Sequence, residues 1–184
     1  MRITGGCLAG RLLSVPKSGV RPTQDRVRAA LFSILAADVP GSRFLDMCAG
    51  TGAVGIEAWS RGASHVCWVE SNPGVLQFLR ANVSNLCGSG RTEVVCMDVR
   101  RFLRQEGRQP AFDMAFCDPQ YVRGVDMERE VLLLLGASKS LKHNGLLVFE
   151  QADDTLTTAV PGWVLVDDRR YGGTRLRFWK QSQE

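Results

Sequence analysis

From Arg43 onward, short apolar runs alternate with helix-forming stretches, and this alternation leaves few folds open. Phe44–Met47, His65–Val69, Thr92–Met97, Met114–Cys117 and Leu146–Glu150 read as strands. Between them, Ala53–Arg61, Pro73–Asn82, Val99–Gln105 and Met127–Leu135 read as helices. Gly62 stops the first of these, and Asn72-Pro73 supplies a cap and a first-turn proline for the second. Parallel neighbours need a long crossover to bring the chain back, so a β-α-β-α order builds a mostly parallel sheet with helices on both faces. The last two runs, Trp163–Arg170 and Thr174–Lys180, are joined by Tyr171-Gly172-Gly173, a link that fits a tight hairpin. The expected α/β fold is therefore a mostly parallel sheet with one antiparallel strand at or near its edge.

The first 37 residues read differently. Arg2 to Val20 intersperses Gly5, Gly6 and Gly10 with Ile3, Leu12, Leu13 and Val15, a pattern for a small β-hairpin or arm closed by Pro16 and Gly19. Thr23 can cap a helix from about Gln24 to Ala37, with Val27, Ala30, Leu31, Ile34 and Leu35 on one apolar stripe. Arg26 and Arg28 lie off that stripe, placed to face a partner. Residues 1–35 hold six basic side chains against Asp25 alone, while the remainder carries 17 basic and 18 acidic ones. The whole excess of the +4 chain thus sits in its first fifth, the usual footprint for a nucleic-acid backbone. Arg2, Arg11, Arg21, Arg26 and Arg28 are the candidate nucleic-acid contacts. Residues 1–37 are expected to form a basic arm and helix, and 38–184 the core of the same single domain.

At 184 residues and 45% apolar, the chain can fill one core. No apolar run approaches the roughly 20 residues that span a bilayer, and the first ten residues lack a signal-peptide layout. A soluble, monomeric protein of the cytoplasm is expected. The six cysteines form no C-x-x-C pair and are not spaced with His65 or His143 as metal ligands, so no metal site is expected. Cys67, Cys96 and Cys117 fall within strands and read as small buried hydrophobes.

Four strand ends carry the chemistry. The first runs into Asp46-Met47-Cys48-Ala49-Gly50-Thr51-Gly52, and Gly50 to Gly55 spells G-x-G-x-x-G. Such a strand–turn–helix lets a ligand approach the backbone near free helix N–H groups. Glu70 ends the second strand, 20 residues after Gly50, where an acid can accept both ribose hydroxyls. A dinucleotide or S-adenosylmethionine could use this arrangement. Asp46 separates them, because a carboxylate repels a pyrophosphate and attracts the ammonium of a methionine moiety. Asp98, after the third strand, can accept an adenine amino group, although a lone Asp there is more often a helix cap. The fourth strand leads into Asp118-Pro119-Gln120-Tyr121. An aryl-type amine is a poor nucleophile because its lone pair is delocalised into the ring. The Asp118 carboxylate and the Pro119 carbonyl can accept both amino protons and localise that pair. Tyr121 offers a face on which a flipped-out base can stack, at about 1–3 kcal/mol.

Asp46-x-x-Ala-Gly-Thr-Gly52, Glu70, Asp98 and Asp118-Pro-x-Tyr121 together resemble the motifs of class I amino-methyltransferases. Arg2-Ile3-x-Gly5-Gly6, Arg21-Pro22-Thr23-x-Asp25-Arg26-Val27-Arg28 and Tyr171-Gly172-x-Thr174 narrow the resemblance to the bacterial 16S ribosomal RNA guanine-N2-methyltransferases. It runs from Arg2 to Lys180. It implies a Rossmann-like, seven-stranded class I methyltransferase sheet, S-adenosylmethionine as donor, and a guanine amino group of small-subunit ribosomal RNA as acceptor. It also implies an assembled or assembling small ribosomal subunit as partner. Candidate cofactor contacts are Thr23, Asp46, Ala49, Gly50, Gly52, Glu70, Asp98, Val99 and Asp118. Asp118, Pro119 and Tyr121 are the catalytic candidates, for a direct in-line displacement without metal or covalent enzyme intermediate. One departure is Gln120, where the family usually carries a second proline that would stiffen the loop. The competing readings are a DNA or protein-amide methyltransferase, a cofactor-binding RNA-binding protein without catalysis, and a nicotinamide oxidoreductase.

Overall fold

The computed structural model describes residues 1–16, 25–88, 90–105, 111–119, 127–152 and 159–182. Seven strands make one sheet: β1 (Arg43–Met47), β2 (His65–Glu70), β3 (Thr92–Cys96), β4 (Phe112–Cys117), β5 (Leu141–Ala152), β6 (Trp163–Tyr171) and β7 (Thr174–Gln181). They lie in the order β3-β2-β1-β4-β5-β7-β6. β7 pairs antiparallel with both β5 and β6, and the remaining pairs are parallel. The expected hairpin is thus present, and it inserts its second strand one place in from the edge. Among the described residues, five helices cover the sheet: α1 (Asp25–Ile34), α2 (Ala53–Ser60), α3 (Pro73–Leu86), α4 (Val99–Leu103) and α5 (Met127–Ser138). Asn72 caps α3 as its sequence position implies, its Oδ1 accepting from Gly74 N–H at 2.9 Å.

Side chains alternate between the two faces of a strand, and each face here has its own core. Phe44 of β1 and Val66 and Trp68 of β2 pack with Leu31, Ile56 and Leu79 from α1, α2 and α3. Leu45, Met47, Cys67 and Val69 pack on the opposite face with Phe102 of α4 and Leu132 of α5. The same parity sends Asp46 and Glu70 toward the α1–α3 side, where an apolar residue would otherwise sit. The chain winds outward from β1 to β3 and then returns to β4 on the other side of β1. The crevice of an open α/β sheet opens at such a reversal, beyond the carboxyl ends of the strands.

Several boundaries differ from the sequence reading. α3 continues past Asn82 to Leu86, because Asn82 is a buried interior residue of the helix and not its stop. β5 begins at Leu141 instead of Leu146, with a register shift against β4 between Phe112 and Met114. α1 ends at Ile34, which is 38% exposed, while Val27, Leu31 and the following Leu35 are buried, so the helix is shorter and its apolar stripe narrower than expected. Cys96 is exposed and not buried, because β3 is an edge strand. The amino-terminal hairpin reduces to one antiparallel bridge, Arg2↔Leu12, around a 3-10 turn at Gly6–Leu8. What holds this arm is the helix beneath it. A Cβ on Gly6, at φ +77, would lie 2.0 Å from the Ser60 carbonyl oxygen, so only glycine lets the arm lie on α2. Among the described residues, no helix is long and apolar enough to cross a membrane.

Candidate active site

The link from β1 to α2 folds as a tight turn. Cys48, Gly50 and Gly52 take φ of +59, +56 and +86, in the left-handed region. For Cys48 that conformation costs on the order of 1 kcal/mol, and the turn is fixed by backbone bonds around it. Ala49 N–H donates to the Val69 carbonyl at 2.9 Å, and Gly52 N–H to the Ala49 carbonyl at 2.8 Å. Cys48, Ala49 and Gly50 are half-buried, whereas Thr51 onward is buried. The glycines therefore serve different ends. A Cβ on Gly52 would lie 2.5 Å from Leu79 Cδ1, and one on Gly55 would lie 2.2 Å from Trp68 Nε1. The last glycine of G-x-G-x-x-G thus lets α2 pack on β2.

The acids at the strand ends brace this turn. Asp46, 2% exposed, accepts a hydrogen bond from Gly55 N–H at 2.8 Å through Oδ2, in the first turn of α2. Burial pushes its carboxyl well above the ordinary value, the nearby Asp118 and Glu70 charges add to that, and the Gly55 bond opposes it. Glu70 bridges two segments: Oε2 accepts from Gly50 N–H at 2.8 Å and Oε1 from Asn72 N–H at 2.7 Å. Each oxygen keeps a second lone pair for a ligand. Asp98 is the cap of α4, accepting from Arg100 N–H at 2.9 Å and Arg101 N–H at 3.3 Å through Oδ1. Its side chain is half exposed. Val99, next to it, is buried in the α4–α5 core.

β4 brings the fourth acid in. Cys117, its last residue, stands beside Met47 in register, and Asp118 and Pro119 follow, half-buried. Burial pushes the Cys117 thiol well above its usual value, and a hydrogen bond with Cys48 adds to this and links the turn to β4. Asp46, Glu70 and Asp118 thus meet at one carboxyl edge, as their strand positions imply. Gln120 and Tyr121 lie outside the described residues, as do Arg21 and Thr23.

The basic arm is only partly as expected. Arg2, Arg11 and Arg26 are exposed. Arg28 is fully buried, which overturns its assignment as an RNA contact. Its Nε lies 3.3 Å from Glu57 Oε2, its Nη2 lies 3.1 Å from Asp25 Oδ1, and Nη2 also donates to the Arg2 carbonyl. The cause is Glu57, a charged side chain inside the otherwise apolar α2. Its carboxylate also accepts from Thr4 N–H at 2.8 Å, Thr4 Oγ1 at 2.7 Å and Arg61 Nε at 2.9 Å. A buried carboxylate needs such partners, and Arg28 is spent on it. Glu57 escaped the sequence reading, although one acid in an apolar helix was a signal for it. Asn82 escaped as well: it bonds the Thr51 carbonyl of the glycine turn at 3.0 Å.

Over its whole length the fold matches a solved Escherichia coli protein, yhhF, provisionally assigned as a methyltransferase. The TM-score is 0.87 at 32% identity, over 100% of this chain and 99% of that one. With its reversed β7 and its acid-braced glycine turn, the molecule falls in the class of Rossmann-like, class I methyltransferases. "Ribosomal RNA small subunit methyltransferase D" of Haemophilus influenzae is 34% identical over 98% of this chain and 93% of its own. The protein of the same name from Escherichia coli K12 is 34% identical over 100% of this chain and 91% of its own. The chain belongs to the family whose model, described as Conserved hypothetical protein 95, matches residues 1–180.

Proposed function

We propose that this protein transfers a methyl group from S-adenosylmethionine to the exocyclic N2 amino group of a guanine in 16S, small-subunit ribosomal RNA. The observation that carries the reading is the meeting of Asp46, Glu70 and Asp118 at the carboxyl edge where the strand order reverses. That donor set fits a ligand carrying an ammonium and a sulfonium, and disfavours one carrying a pyrophosphate. When bound there, S-adenosylmethionine supplies an electrophilic methyl group.

The chain's own residues do the rest. Asp46 attracts the ligand ammonium, directly or through water, while anchoring α2. Glu70 offers its remaining lone pairs to the ribose hydroxyls, and Ala49 and Gly50 let the ligand approach the turn. Thr23, Gly52, Asp98, Val99 and Asp118 complete the set of cofactor candidates, with Asp98 next to the adenine. Asp118 and the Pro119 carbonyl accept hydrogen bonds from the two amino hydrogens of guanine and turn the nitrogen lone pair out of conjugation, and one of those protons leaves by way of Asp118 to solvent once the nitrogen carries the methyl group. Tyr121 stacks the base. Arg2, Arg11, Arg21 and Arg26 track RNA phosphates. On this reading the protein acts as a monomer in the cytoplasm, on an assembled or assembling small subunit.

The test is transfer of tritiated methyl to small subunits from cells lacking the protein, with mass-spectrometric mapping of modified guanosine. Asp118→Ala is expected to lower turnover by about 10²-fold or more while S-adenosylhomocysteine still binds. Near-normal turnover of that variant would remove Asp118 from its role. Label appearing in DNA or protein instead of RNA would redirect the substrate assignment.

A further inference from the structure

We infer that Asn82 is a positioning residue that ties the amino-terminal arm to the glycine turn, so that cofactor binding and arm order are coupled. Asn82 sits inside α3 and is 3% exposed. Its amide is divided between two segments distant in sequence. Oδ1 accepts from Ser14 N–H at 2.9 Å, and Nδ2 donates to the Ser14 carbonyl at 2.9 Å. This doublet holds the arm as a neighbouring strand would. Nδ2 also donates to the Thr51 carbonyl at 3.0 Å.

That third bond falls on a peptide that is otherwise fixed from its other side. The Thr51–Gly52 peptide has its N–H on the Ala49 carbonyl at 2.8 Å and its carbonyl on Asn82. It therefore cannot tilt toward a ligand without dragging the Asn82 amide. The amide is planar, and its two N–H groups are committed to opposite partners, one on the turn and one on the arm. A buried amide left unsatisfied is costly, so these bonds hold or fail together. Ser14 is seven residues before Arg21 in the chain, so a restraint at Ser14 limits where the basic segment can reach. A core asparagine that only satisfied the helix would not bridge these two segments. The consequence for RNA rests on the proposed function: ordering of the turn by cofactor should raise RNA affinity, and RNA should raise cofactor affinity by the same factor.

Amide hydrogen exchange and calorimetry on the full chain test this. In the unaltered protein, S-adenosylhomocysteine should slow exchange of peptides covering residues 2–16. Small subunits from cells lacking the protein should tighten its binding by about fivefold. In Asn82→Ala the arm protection should vanish and the tightening should fall to about onefold. Peptides over α4, at Asp98, should stay protected. A merely structural asparagine would lower thermal stability and leave that coupling ratio intact. Ser14→Pro removes the arm's N–H and spares the Asn82–Thr51 bond. It should weaken the coupling and lower S-adenosylhomocysteine affinity by no more than that same factor, and it decides the matter should Asn82→Ala fail to fold. Full coupling in a folded Asn82→Ala, or no arm protection in the unaltered protein, overturns the inference. Absence of binding to small subunits with arm protection intact would overturn the RNA reading and leave the coupling standing.

Discussion

Asp46 occupies a strand position that alternation reserves for a core side chain, and burial holds its carboxyl well above the usual range. Because the folded-state pKa is raised, this carboxyl favours the folded, ligand-free protein most at low pH. That contribution is lost as pH rises through the raised value. A ligand ammonium beside it has the opposite preference, for the ionised form. S-adenosylhomocysteine binding should therefore release protons between the ordinary Asp value of about 4 and the raised one, and should tighten as pH climbs through that window. Calorimetry in buffers of differing ionisation enthalpy reads the proton count. The same count in Asp46→Asn would sever the link. Asp46, Glu70 and Asp118 were legible in the sequence because each follows an apolar run whose period fixes its place at the sheet's edge. Arg28 was not. Helical periodicity shows that a side chain leaves the apolar stripe, but only the fold reveals that Glu57, 29 residues on, is waiting there.

Among the elements, the arm and α2 behave as one unit through Glu57. Removing one member of a buried ion pair costs about 3–5 kcal/mol. Thr4 and Arg61 still serve Glu57 after Arg28→Ala, which sets the loss near the lower end. The melting temperature should fall by roughly 6–12 °C for a chain of this size, as differential scanning fluorimetry would show. A change below a degree would mean that the arm is not held through this cluster. Gly55→Ala should cost about 1–3 kcal/mol by forcing α2 off Trp68. Most element boundaries could be read in advance, since caps and glycine stops are local signals. The arm could not: its single bridge is held by Ser60, Glu57 and Asn82, contacts 52 to 68 residues away in sequence.

For the molecule as a whole, the charge asymmetry makes RNA binding an electrostatic event, which salt should weaken steeply. Removing one arginine that neutralises a phosphate should reduce the slope of log K against log salt by about 0.7–0.9. Arg26→Ala should show such a decrement and Arg28→Ala should not, because Arg28 lies inside the fold. Filter binding to small subunits across a salt series separates them, and equal slopes for the two variants would refute the division. The overall architecture was readable from strand–helix alternation and the terminal glycine hairpin. The place of β7 between β5 and β6 has a further consequence. The ribosome makes this strand after both of its neighbours, so the gap between them stays open until Thr174–Gln181 has left the exit tunnel. A nascent chain cut short before that segment would bare the β5 edge, a template for aggregation. Prematurely stopped messages should therefore yield insoluble debris for the cell's proteases and no feebly active enzyme.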